Sequence, residues 1–327
     1  MQYRSLYSEL GLRRQAGAGK AEGNREIGGD VKMETTAQRL LERGSASDAR
    51  VRVEQAARIL RLRIVEMLGP NTKGHLGGSL SIADVVAALY FVKMRHDPSA
   101  PQWPDRDRFI LSKGHSVLVQ YAALAECGYF PREELGKLKT LGSVLQGHPD
   151  IKSTPGIEAN TGSLGQGLSQ ACGMAAGLRL DGRKSRVYCV VGDGELCEGQ
   201  IWEAAMSASH YRLDNLVAIV DRNGLQATGP IESRFNTNPL AQKWAAFGWH
   251  VLELDGHDAT AILEALDQAD RLSGKPKVLI ANTVKGRGLP FAENNAAFHN
   301  GHMTSEQYEL ALKLLGSEFS ADRSQGE

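Results

Sequence analysis

Between residues 186 and 281 the chain repeats one pattern that leaves few folds open: a short β-rich apolar run, a stretch with helical spacing, then another apolar run. The runs lie at 186–191, 215–220, 250–254 and 277–281, and the helical stretches at 199–210, 239–247 and 259–272. A helix between two strands returns the chain to its starting edge, so the next strand runs parallel to the last. Parallel strands are buried on both sides, which calls for helices above and below them. The expected fold is α/β, a doubly wound, mostly parallel sheet with helices on both faces.

The same reading extends upstream. Ala56, Ile59, Leu60, Ile64 and Met67 recur at helical spacing and Gly69-Pro70 ends that helix. A second helix is expected over 82–94, a short strand in "DRFILSKGH", a helix over 117–126, and a tightly packed helix in the small-residue run 165–177. Residues 1–46, rich in Gly, Arg, Ala, Glu and Ser without sustained periodicity, read as a flexible arm. Residues 47–327 read as one domain with a helical C-terminal tail, and 327 residues suffice for a substantial core.

Charge removes several classes of function. Lys plus Arg equals Asp plus Glu at 38 each, so no global basic field gathers nucleic acid or anionic lipid. There is no apolar stretch of transmembrane length and no signal segment. Cys127, Cys172, Cys189 and Cys197 lack CxxC spacing, which argues against zinc and points to a reducing cytoplasm.

Ligands of open parallel sheets bind beyond the carboxyl ends of the strands. There the sequence places Gly192-Asp193-Gly194, Asp221-Arg222-Asn223-Gly224 and Thr283-Val284-Lys285-Gly286. Gly-Asp-Gly is also a common tight turn. Paired with an asparagine loop at the neighbouring strand end, however, it offers a carboxylate, an amide oxygen and a backbone carbonyl. That hard, incomplete oxygen shell suits Mg2+, which completes its octahedron with phosphate and water. The expected ligands are Asp193, Asn223 and the carbonyl of Leu225. Lys285-Gly286-Arg287-Gly288 lacks the spacing of a phosphate-binding P-loop and reads as a mobile loop between strand and tail.

This pair of elements resembles the thiamine diphosphate signature. Around it lie "KGHLGGSLSIADVVAALYF", "DRDRFILSKGHS", "LQGHPD" and "NTGSLGQGLSQACGMAAG". Over about residues 50–305 these motifs resemble a transketolase in the family's own order, specifically its N-terminal, diphosphate-binding half. A conventional transketolase continues through a pyrimidine-binding and a C-terminal domain that this sequence lacks, so the resemblance is to the N-terminal subunit of a split transketolase.

The resemblance implies thiamine diphosphate and Mg2+ as cofactors and transfer of a two-carbon ketol unit between sugar phosphates. It also implies a C-terminal partner subunit carrying the pyrimidine-binding half, in a heterotetramer. It gives His75 a place in the substrate channel, His115 a contact to the diphosphate, and His148 a hydrogen bond to the hydroxyl on the donor's terminal carbon. His299 falls near cofactor and acceptor, although Asn300 stands where the family has glycine. Gly162, Ser163 and Leu164 match the loop packed against the cofactor, Gly194 and Asn223 match further cofactor contacts, and Glu198 matches an acid at the subunit contact. Glu195 has no counterpart and reads as a solvated turn residue, while His210, His257 and His302 read as structural. Two alternatives stay open: a subunit of another thiamine diphosphate enzyme (1-deoxyxylulose-phosphate-synthase-like or 2-oxo acid dehydrogenase), and a non-catalytic thiamine diphosphate-binding protein. His148 weighs against the first and the retained histidines against the second.

Overall fold

Five parallel strands in the order β1-β2-β3-β5-β4 form the centre of the computed structural model, which describes residues 46–316. They are β1 Arg108–Leu111, β2 Val187–Gly192, β3 Leu216–Arg222, β4 His250–Asp255 and β5 Lys277–Asn282. Register runs unbroken through the middle: Val190 lies beside Ile219, and Ile219 beside Leu279. The expectation of an arm over 1–46 concerns residues that, Ala46 apart, lie outside those described. The end of the expected tail does too.

Alternation along each strand builds two cores. Tyr188 and Val190 of β2, Val217 and Ile219 of β3, and Leu279 of β5 face one apolar cluster. Val187, Cys189 and Val191, with Leu216, Ala218 and Val220, face the other. The first cluster is closed by α1 (Ala46–Leu68), α2 (Leu76–Ser81), α3 (Ala83–Ala88), α4 (Val117–Cys127) and α8 (Ala259–Arg271). The second is closed by α5 (Gln166–Leu180), α6 (Gly199–His210) and α7 (Leu240–Ala246). A helix α9 (Ser305–Gly316) packs Ala311 and Leu315 into the first cluster.

Local chemistry sets the ends of these elements. Gly128 closes α4 in the left-handed region at φ 88°. The Asp258 carboxylate accepts from the first free N–H groups of α8, at Thr260 and Ala261. The helix expected over 82–94 is present over 83–93, but after Ala88 it widens into a π-helical turn over Leu89–Lys93. Helix α2 was not foreseen. Six residues containing two glycines carry no readable periodicity, and burial of the whole segment holds it helical.

In the second core Trp244 is fully buried, its ring 4.8 Å from Trp249 and 5.3 Å from Trp202, and its indole N–H has no partner. Trp244→Ala is expected to cost about 3–5 kcal/mol in urea unfolding through the cavity it leaves. Trp244→Phe should cost well under half of that, since it keeps an aromatic ring and removes an unsatisfied donor. Equal losses for the two variants would show that ring packing does not set the cost.

Candidate functional site

The loops beyond β1, β2, β3 and β5 meet around a cavity of about 640 Å³. At the end of β1 the chain turns through Gly114, where a side chain would collide with the Thr161 backbone at 2.5 Å. That turn delivers Lys113 and His115 to one wall. At the end of β2, Asp193 accepts from Gly194 N at 2.8 Å and from Gly224 N, in the loop after β3, at 2.6 Å. Asn223 donates to Asp221 Oδ2 at 3.0 Å, and its Oδ1 accepts from Leu225 N at 3.1 Å. Each of these oxygens retains acceptor capacity. The expected cation ligands Asp193, Asn223 and Leu225 all line this cavity, and the Leu225 carbonyl already accepts from Lys285. Among the described residues no group of three or more His, Cys, Asp or Glu could hold a metal ion, so a cation here would depend on this mixed oxygen set and on oxygens of a ligand.

The histidines converge as well. Hydrogen bonding between Gly74 N and Gly301 O, at 2.9 Å, ties the two segments carrying His75 and His299. The rings of His75 and His115 lie 4.9 Å apart, those of His115 and His299 5.1 Å, and those of His75 and His299 5.4 Å. His148 lines the same cavity, its loop fastened by the Tyr121 hydroxyl donating to its carbonyl at 3.0 Å. Gly162, at φ 144°, leaves room for the His148 ring, which would lie 2.6 Å from any Cβ there. Leu164 and Gly194 also line the cavity; Ser163 is exposed and does not. Glu198 is on the rim and exposed in this chain.

Two readings of the sequence are corrected. Glu195 is buried: Oε1 accepts from Ser112 Oγ at 2.5 Å and Gly165 N at 2.9 Å, and Oε2 from Gly192 N at 3.0 Å. It braces three loops of the site, and burial raises its pKa against those donors. The loop at 285–288 is fastened, with Gly286 N donating to Gly77 O at 3.0 Å and Asn294 N to Lys285 O at 2.9 Å. Its Lys285 is 2 % exposed and donates to Leu225 O and His299 Nδ1, both at 2.9 Å.

Lys285 and Lys113 were missed, although "SKGH" placed Lys113 two residues from a named histidine. Lys113 donates to Gly78 O at 2.6 Å and pairs with the fully buried Asp221. Both lysines shape the electrostatics. Burial, with Lys113 nearby, lowers the Lys285 ammonium to about 8. Burial first, then neighbouring cations, pushes His115 down to about 2 and His75 and His299 to about 4. His148 is lowered by burial and by Lys139. The imidazoles are thus neutral at pH 7 and able to accept as well as donate. Asp193 moves the other way, raised to about 7 by burial and by the Asp221 carboxylate.

The sign of the histidine effect can be measured. His115 resists protonation in the fold, whereas an unfolded imidazole takes up a proton near 6.5. Its contribution is present above that value and is lost as pH falls below it. The thermal midpoint of His115→Gln is therefore expected to fall less steeply between pH 6.5 and 4 than that of the unsubstituted protein. Parallel curves would mean that His115 titrates normally.

Comparison with known proteins agrees with this fold. Residues 50–322 match the family described as "Transketolase, thiamine diphosphate binding domain". The 6-deoxy-6-sulfo-D-fructose transketolase subunit SqwG of Clostridium sp. (strain MSTE9) is 46% identical over 272 residues, 83% of this chain and 99% of that protein. An apulose-4-phosphate transketolase subunit of Phocaeicola vulgatus is 45% identical over 253 residues, 77% of this chain and 90% of that protein. The structure of transketolase from Leishmania mexicana superimposes with a TM-score of 0.77 at 32% identity, covering 81% of this chain and 41% of the other. The chain thus spans nearly the whole of those subunits and two-fifths of the longer enzyme, its matched residues are those of the thiamine diphosphate binding domain, and it belongs to the transketolase family.

Proposed function

We propose that this chain is the N-terminal subunit of a two-subunit transketolase that moves a two-carbon ketol unit from a ketose phosphate to an aldose phosphate, with thiamine diphosphate and Mg2+. The observation that carries this reading is the gathering of four imidazoles around one cavity whose floor is the Asp193–Asn223 oxygen set. The donor chemistry fits the cofactor. Lys285 is a buried cation whose partners are a carbonyl and an imidazole, a setting that favours an added anion such as a diphosphate. Asp193, the Asn223 amide oxygen and the Leu225 carbonyl would hold Mg2+, and His115 and Lys285 would face the diphosphate. Apolar Leu164, Leu225 and Phe235 line the remaining wall.

When bound, thiamine diphosphate supplies the carbanion and the electron sink for carbon–carbon cleavage. The chain's own residues handle protons and position. His75 and His299, neutral at pH 7, accept or return protons at substrate hydroxyl and carbonyl oxygens. His148 binds the hydroxyl on the donor's terminal carbon, and Gly162 and Gly194 allow close approach of the backbone to the cofactor. The glutamate that activates the aminopyrimidine would come from a C-terminal partner subunit, met at the rim by Glu198, in a heterotetramer. Relatives named as subunits support this, as does a cavity that opens beside exposed Glu198 and Phe235. A cytoplasmic setting is supported by four free cysteines, three of them buried; among the described residues no helix is long and apolar enough to cross a membrane. The named relatives differ in substrate, a sulfonated deoxyfructose in one and a sugar phosphate in the other, so the test begins with a panel of ketose donors.

The chain alone is expected to show little or no ketol transfer, and to gain it when mixed with a pyrimidine-binding partner, thiamine diphosphate and Mg2+. Full turnover by the chain in a partner-free assay would overturn the split arrangement. Asp193→Ala should abolish Mg2+-dependent binding of thiamine diphosphate in calorimetry while leaving the circular dichroism spectrum intact; unchanged affinity would reduce Gly-Asp-Gly to a turn.

His148→Ala should lower kcat/KM for hydroxymethyl ketoses by roughly one to two decades, the worth of one hydrogen bond that is neutral or partly charged. A donor lacking that hydroxyl should lose much less. Equal losses for both donors would mean that His148 supports its loop or the cofactor instead.

A further inference from the structure

Outside the cavity, a fifth histidine is built into a chain of hydrogen bonds that ends at the site. His257 follows β4. Its Nδ1 lies 2.7 Å from Asp84 Oδ2, and Val284 N donates to its Nε2 at 2.8 Å. Because an N–H can only donate, Nε2 must be the lone-pair nitrogen, and the ring's proton sits on Nδ1 and points at Asp84. Asp84 is in turn fixed by Arg61 of α1, whose Nη1 donates to Oδ1 at 3.1 Å and whose Nη2 also contacts Oδ2. Burial would raise this carboxyl, but Arg61 and then His257 overcome that and keep it at about 2. The acceptor that orients His257 is thus a permanent carboxylate, and the His257 side chain is 10 % exposed.

The consequence falls on the next residue. Val284 immediately precedes Lys285, and Gly286 N on the other side bonds to Gly77 O. Lys285 is therefore hung between two backbone hydrogen bonds, one of which ends on a side chain. The His257 turn also lies directly on this segment: Gly256 N donates to Asn282 O at 2.8 Å, and a Cβ at Gly256 would be 2.5 Å from Thr283 Cγ2. We infer that His257 is a positioning residue for the cofactor-binding site, fixing through the Val284 backbone the place from which Lys285 reaches Leu225 O and His299. That Lys285 then meets a diphosphate rests on the function proposed above; the positioning itself does not.

Two substitutions separate the halves of the contact. His257→Asn keeps a donor near the Nδ1 position for Asp84 but is too short to accept from Val284. His257→Gln places an amide oxygen near the Nε2 position and retains that acceptor. Competitive labelling of the full chain with acetic anhydride at a single pH, read by peptide mass spectrometry, reports how accessible the Lys285 amine is. In the unsubstituted protein and in His257→Gln, where the amine is buried and held by Leu225 O and His299, it should label several-fold less than the exposed lysines; in His257→Asn its labelling should rise toward theirs. Unchanged Lys285 labelling in His257→Asn, with at most a lowered thermal midpoint, would overturn the inference and leave His257 a structural residue.

In the complex with the C-terminal partner, His257→Asn should weaken thiamine diphosphate binding about tenfold, as expected for loss of one hydrogen bond's worth of placement. On a Lys285→Ala background it should weaken it no further; additive losses would also overturn the inference. If the unsubstituted complex bound no thiamine diphosphate, the functional reading would fail while the labelling result still decided the role of His257.

Discussion

Lys113 and Asp221 form the pair on which the rest of the site depends. Their side chains are 3 % and 0 % exposed, and each costs several kcal/mol to dehydrate. The cost is offset because Asp221 has three further donors and Lys113 a second acceptor. Asp221 also accepts from Ser81 Oγ at 2.6 Å, from Asn223 Nδ2 at 3.0 Å and from Thr283 Oγ1, while Lys113 donates to Gly78 O. Burial would raise the Asp221 carboxyl, yet Lys113 and these donors bring it below its ordinary value. One charge pair thereby ties the ends of β1, β3 and β5 to helix α2. Each of these segments carries or adjoins a cavity residue: His115 after β1, Asn223 after β3, Lys285 after β5, His75 before α2.

The same pair bears on the protonation of its neighbours. Burial does most to hold His115, Lys285 and His299 below their ordinary values, and Lys113 adds positive potential beside them. Imidazoles held neutral at pH 7 can take a proton from a hydroxyl, which an imidazolium cannot do, while the other nitrogen still donates a hydrogen bond to an oxygen. The lysines thus act twice, once toward an anionic ligand and once by keeping the histidines competent as acceptors. Glu195 completes the frame from the opposite side, joining the ends of β1 and β2 to the loop that carries Leu164.

The frame was legible in the sequence where a period carried it. Strands β2 to β5 and helices α6 and α8 fall within two residues of their expected ends, since apolar runs of strand length and a 3.6-residue stripe are properties of the chain itself. Asp193 and Asn223 were legible because a strand end fixes where they must point. The histidines were legible only through resemblance, as the Gly-His pairs at His75, His115 and His148 alone describe turns and His299 stands in no such pair. Glu195 was misread for a physical reason: in "GDGELCEG" three acids stand within six residues, and nothing local says which turns inward. The answer comes from Ser112 and Gly165, remote in sequence. Lys285 was hidden likewise, because its loop is fastened by Gly77 and His257 rather than by anything in "KGRG".

A site so arranged carries two electrostatic discomforts of opposite sign. Asp193, raised to about 7 by burial and by Asp221, would be relieved by a cation. Lys285, lowered to about 8 by burial and by Lys113, would be relieved by an anion. A divalent cation alone would ease the first and aggravate the second, since it adds positive charge beside a buried ammonium that already donates to Leu225 O. A diphosphate alone would ease the second and aggravate the first, by placing negative charge beside two buried carboxylates. Delivered together they cancel both terms, so each ligand lowers the cost of the other. On the proposed function, cofactor and metal are then bound as a coupled pair. The coupling arises from Asp193 and Lys285, whose mutual attraction offsets only part of what burial costs each of them.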